Sequence, residues 1–94
     1  MRIKWLRTAL ASLDAEAEYI ARDNPAAASR AVTLIVEAVK RLQEFPASGR
    51  PGRVPGTREL VIPGTPYIVP YRVRGDTLEI LRVFHAARRW PTYF

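Results

Sequence analysis

The hydrophobic period of this chain changes from helical to alternating across a segment that no helix can cross. Leu6, Leu10, Leu13, Ala17 and Ile20 fall at i, i+4, i+7, i+11 and i+14, which predicts an amphipathic helix from about Thr8 to Arg22. Ala28, Val32, Ile35, Val39 and Leu42 repeat that spacing and predict a second helix. Asn24 suits its N-cap and Pro25 its first turn, where a missing N–H costs nothing. So short a connection predicts an antiparallel helical hairpin. From Pro46 to Gly56 the chain is rich in Pro and Gly and reads as a surface loop.

Beyond that loop the period is two. Thr57 to Ile62, Tyr67 to Val73 and Thr77 to Phe84 read as strands, with Pro63-Gly64-Thr65-Pro66 and Arg74-Gly75-Asp76 as the turns of an antiparallel meander. Pro70 removes a ladder donor and predicts a bulge or an edge position. Before the helices, Ile3 and Trp5 alternate with Arg2 and Lys4, so Arg2 to Leu6 reads as a further strand. The expected fold is therefore α+β in the order β-α-α-β-β-β, a helical hairpin packed on one face of a small, mainly antiparallel sheet. In the last strand Leu78, Ile80 and Phe84 on one alternation and Leu81 and Val83 on the other are all apolar. The second face is thus expected to be covered, by the tail Ala86 to Phe94 or by a partner.

Ninety-four residues hold one domain, spanning 1–94, with one core. No run approaches the roughly 18 apolar residues of a membrane span, and Arg7 interrupts the apolar start, so the expectation is a cytoplasmic protein that is not exported. Cysteine is absent and His85 is the single histidine, so neither a disulfide framework nor a metal site is expected. There is no Gly-rich phosphate loop and no nucleophile elbow, and no cofactor is expected. Residues 1–46 hold 7 basic and 6 acidic side chains and residues 47–94 hold 8 and 3, so the carboxyl-terminal half is suited to an anionic partner.

The groups that could carry chemistry lie in that half. His85 ends the last strand, Arg88 and Arg89 follow it, and Arg58, Arg72 and Arg82 stand on neighbouring strands. Such a cluster could hold a phosphate, with His85 or Tyr93 moving a proton. The plainer alternative pairs the arginines with Glu59 and Glu79 or leaves them in water. Tyr67, Val69, Tyr71 and Val73 share one strand face and read as core. Asp14, Glu16 and Glu18 read as the solvated face of the first helix.

Four segments resemble the RelE/ParE toxin superfamily in order and spacing: Gly56-Thr57-Arg58-Glu59-Leu60, Pro66-Tyr67-Ile68-Val69-Pro70-Tyr71-Arg72-Val73, Leu81-Arg82-Val83-Phe84-His85-Ala86-Ala87-Arg88-Arg89-Trp90, and Leu42-x-x-Phe45-Pro46-x-x-Gly49. The resemblance implies a toxin neutralised by an antitoxin that wraps it, with operator DNA reached only through that antitoxin. RelE-like members cleave ribosome-bound messenger RNA without a metal, and ParE-like members act on DNA gyrase. Ile68 stands where nuclease members commonly have arginine, so the second string looks more like the ParE branch. The nuclease alternative would use Arg58, His85, Arg88 and Tyr93, with Arg82, Arg89 and Trp90 as contacts to target or partner. A third alternative is a non-toxic antitoxin-binding protein.

Overall fold

The structure is a computed structural model that describes residues 1–87 and 89–94. Strand β1 (Arg2–Trp5) leads into helix α1 (Arg7–Ala21) and helix α2 (Pro25–Lys40), which ends in a single 3-10 turn at Arg41–Gln43. Five strands follow: β2 (Arg50–Pro51), β3 (Arg58–Val61), β4 (Tyr67–Arg74), β5 (Thr77–Ile80) and β6 (Phe84–His85). The sheet runs β1-β5-β4-β3-β2, with β6 continuing along β4; β1 lies parallel to β5 and every other pair is antiparallel. The expected α+β fold is the observed one, with the two-residue β2 added inside the segment expected to be a loop and the last expected strand divided into β5 and β6; no helix among the described residues is long and apolar enough to cross a membrane.

Local signals set the helix ends. Asn24 is extended and its Oδ1 accepts from the Ala27 N–H at 3.0 Å, while Pro25 opens α2. Helix α1 starts at Arg7 after an uncapped Leu6, and the Thr8 hydroxyl donates to the Leu81 carbonyl at 3.1 Å, tying the helix to the sheet.

The core is one cluster in which Ile35, Ala38, Val39 and Leu42 meet Tyr67, Val69, Tyr71, Leu78, Ile80 and Val83. Of the α2 stripe, Ile35, Val39 and Leu42 pack in this cluster as the spacing predicts, whereas Ala28 is buried outside it and Val32 is half-buried. The α1 stripe is rotated. Leu10 is 48 % exposed, whereas Ala9 is fully buried and Leu13 and Ile20 pack on the core. The buried face therefore reads Ala9, Leu13, Glu16, Ile20, and Glu16, expected in solvent, is buried. The Thr8 hydroxyl on the Leu81 carbonyl and the Ser12 hydroxyl, which accepts from the Val83 N–H at 2.9 Å, hold the Thr8–Ala9–Ser12 side of the helix to the sheet.

Pro70 is not at an edge. It lies in β4, the middle strand, where the bulge expectation is the one met. Tyr71 pairs with Ile80 and Ile68 with Phe84, so three residues, Leu81 to Val83, stand opposite two, Val69 and Pro70. The predicted single strand Thr77 to Phe84 is thereby split into β5 and β6. Leu81 N–H donates to the Pro70 carbonyl at 3.0 Å, so Pro70's N–H-less nitrogen faces this interrupted stretch of ladder. The extra residue also reverses the alternation. Leu78 and Ile80 face the helices, and Phe84, grouped with them by sequence, pairs with Ile68 on the opposite face.

Candidate functional site

The sheet face away from the helices is where the cationic side chains collect. Residues paired across strands share a face, so this one carries Arg2 and Lys4 on β1, Thr77 and Glu79 on β5, Arg72 and Arg74 on β4, and Glu59 on β3. Glu79 Oε1 accepts from Arg72 Nε at 2.7 Å and lies 3.8 Å from Arg74 Nε. The Arg72 hydrogen bond, with the fields of Arg72, Arg74 and Lys4, holds the Glu79 carboxyl below its ordinary value against a smaller opposing effect of desolvation.

Glu59, 1 % exposed, organises the Pro/Gly-rich loop. Its Oε1 accepts from Arg50 Nε at 3.2 Å and Nη2 at 3.0 Å, and its Oε2 from the Arg53 backbone N–H at 2.8 Å. Arg50 and Arg53 stay half in water, so the pair stabilises the loop more through its fixed backbone bond than through Coulomb attraction.

The tail folds back over the same face. Phe84 stacks tilted against Trp90 with ring centroids 4.6 Å apart and meets Phe94 at 6.2 Å. The Arg53 guanidinium sits 4.1 Å over the Trp90 ring and that of Arg82 5.9 Å from Phe94. Trp90 Nε1 is enclosed without a hydrogen-bond partner among the described residues. The expectation that the tail covers part of this face is met.

The residues named for chemistry occupy different places. Arg58 stands on the helix side, paired with Tyr71, and its Nη1 donates to the Gly49 carbonyl at 2.8 Å and that of Ala47 at 3.3 Å. His85 is also on the helix side. Tyr67 meets it edge-on at 5.8 Å, and its Nδ1 accepts from the Ala87 N–H at 3.1 Å. It borders a groove of roughly 440 Å³ shared with Tyr19, Ile20, Arg30 and Leu34. Tyr93 is 79 % exposed beside Thr57, Arg72 and Arg74, and Arg89 is exposed on the tail. Arg88 lies outside the described residues. Ile68, where a nuclease would want a cation, is buried.

Sequence reasoning missed one arrangement. The Tyr71 hydroxyl donates to the Pro46 carbonyl at 2.8 Å and accepts from the Gly49 N–H at 2.9 Å. Thus Pro46-x-x-Gly49 and the tyrosine of β4 are two halves of one contact, and the signal was the four-residue spacing ahead of a buried strand tyrosine. No group of three or more His, Cys, Asp or Glu among the described residues could hold a metal ion.

A helical hairpin on a mixed sheet, with a basic outer face and an aromatic tail, is the frame of a small toxin-like domain. Residues 3–90 match the family model described as "ParE toxin of type II toxin-antitoxin system, parDE", and the chain belongs to that family. It is 53 % identical over 90 residues to the protein Y4kP of Sinorhizobium fredii, a toxin by provisional name, covering 96 % of this chain and 93 % of that one. It is 34 % identical over 87 residues to "Toxin RelE2" of Caulobacter vibrioides, covering 93 % and 97 %. A solved chain described as "Chromosomal ParDE TA system from P. aeruginosa" superposes with a TM-score of 0.81 at 42 % identity, covering 90 % of this chain and 95 % of that one. The resemblance to the superfamily, nearer its ParE branch, is borne out.

Proposed function

We propose that this toxin acts on DNA gyrase without cutting RNA and is neutralised by a cognate antitoxin. The observation that carries the reading is the dispersal of the would-be catalytic groups. Arg58 is spent on two loop carbonyls, His85 faces the helical groove, and Tyr93 stands on the opposite face of the sheet, while the position after Tyr67 is the buried Ile68. Metal-free cleavage needs several groups converging on one phosphate, and losing one costs on the order of 10²- to 10³-fold. Exposed Tyr19 and Leu34 on the hairpin, beside Arg30, suit an antitoxin segment that is apolar with an acidic residue.

Ribosome-dependent message cleavage is the second reading, favoured by the exposure of Tyr93 beside Arg72 and Arg74. One preparation assayed for both activities separates them. The expected result is inhibition of supercoiling with intact message on programmed ribosomes. Message cut by the wild type and spared by Arg88→Ala and Tyr93→Phe would establish the nuclease, and expression without growth arrest would establish the non-toxic alternative.

A further inference from the structure

The charge of this chain is divided between its two layers. Residues 6–46, which hold both helices, carry five basic and six acidic side chains, so the net charge of +6 resides wholly in the strands, loops and tail. On the outer sheet face Arg2, Thr77 and Arg74 form one row across β1, β5 and β4, and Lys4, Glu79 and Arg72 form the next. Within a strand the cations stand two residues apart, about 7 Å, and across two strand spacings they stand about 10 Å apart. Four cations thus stand at the corners of a rectangle, with Glu79 midway along the Lys4–Arg72 side and Thr77 midway along the other. Arg2, Lys4 and Arg74 are exposed, and Arg72 is held upright by its 2.7 Å bond.

We infer that this face binds the phosphate backbone of duplex DNA. A polyanion is the partner the charge calls for, and two features of the rectangle choose among polyanions. A protein partner needs an apolar centre to its interface, and here the centre is Thr77 and Glu79. Unpaired nucleic acid needs rings on which bases stack. Among the described residues no ring lies between the cations: the exposed Tyr93 stands outside the rectangle, on the β3 side of Arg72 and Arg74 beside Thr57, and Phe84, Trp90 and Phe94 are packed on one another farther along. Contacts made to phosphate alone carry no sequence information, so binding is expected to be indifferent to sequence and strongly dependent on salt. Glu79 occupies the place of a bound phosphate oxygen and competes with it. The site does not depend on the identity of the toxin's target, and its test contains no gyrase.

The full chain is titrated against a fluorescent mixed-sequence duplex over a series of salt concentrations, with single-stranded RNA of equal length as a second probe. Each phosphate neutralised contributes about −0.9 to the slope of log K against log salt. The expected slope is about −3 or steeper, with duplex bound more tightly than the single strand. The triple variant Arg2→Ala/Lys4→Ala/Arg74→Ala should flatten the slope by about 2 to 3. The triple variant Arg7→Ala/Arg22→Ala/Arg41→Ala removes the same charge from exposed helical positions and should leave the slope unchanged. Glu79→Gln should tighten binding several-fold, an effect opposite to that of lost structure. Equal losses in the two triple variants, tighter binding of the single strand, no duplex binding at low salt, or a sheet-face variant that weakens only an acidic protein partner would each overturn the assignment.

Discussion

Truncating Tyr71 to Ala is expected to cost about 3 to 5 kcal/mol, measured as a shift of the denaturant midpoint at unchanged slope. The ring is fully buried at the centre of the sheet and its hydroxyl is the pin between β4 and the loop after α2. Tyr71→Phe isolates the pin. It keeps the ring and leaves the Gly49 N–H and Pro46 carbonyl without their partner, for an expected loss of about 1 to 3 kcal/mol. Gly49→Ala attacks the same contact from the other side, since a Cβ there would lie 2.6 Å from the Tyr71 hydroxyl and 2.7 Å from its ring. A Tyr71→Phe protein as stable as wild type would show that the hydroxyl does not hold the loop.

The same phenol gives a pH signature. Burial pushes its pKa above 10.0, only partly offset by the Gly49 N–H and the positive field of Arg58. A raised pKa means that the folded state holds the proton more tightly than the unfolded chain. Its contribution is therefore complete below pH 10.0 and is lost as pH rises towards and through the folded value. Stability should fall on the alkaline side in wild type and fall less in Tyr71→Phe.

The hairpin was legible in the sequence because Asn24-Pro25 and the α2 stripe are local signals, and the meander because Gly64 and Gly75 adopt the positive φ that their turns require. The rotation of α1 was not, because a period of 3.6 defines a stripe only to within a neighbouring row. An alanine such as Ala9 adds little to an apolar pattern, yet it is fully buried. The reversal of alternation at Leu81 to Val83 was equally hidden, since a bulge is a property of two strands and Pro70 signals only one of them. The candidate site suffered most. Proximity in sequence and a shared motif suggested that Arg58, His85 and Tyr93 converge, but register puts the first two on the helix side and the tail carries the third to the other. Of the candidate arginines, Arg72 pairs with Glu79 and Arg58 turns to two loop carbonyls, while the other partners of Glu59 and Glu79 are Arg50, Arg53 and Arg74, which stood outside the cluster read from the sequence.

The rotated stripe yields a contrast of two leucine-sized residues that sequence alone ranks equally. Ile35 is 1 % exposed and packs in the main cluster, so Ile35→Ala should lower stability by about 2 to 5 kcal/mol, the transfer cost of the lost atoms plus that of the cavity they leave. Leu10 is 48 % exposed, so Leu10→Ala should change stability by no more than about 0.5 kcal/mol, as surface substitutions do. Alanine is a good helix former at both positions, so propensity cannot produce the difference and burial must. Measuring the two unfolding midpoints side by side decides the orientation of α1. If Leu10→Ala destabilises as much as Ile35→Ala, the leucine stripe faces the sheet after all. If it does not, Leu10 is an apolar group held in water, and the face that α1 turns to the sheet is the one that carries Ala9, Leu13 and Ile20.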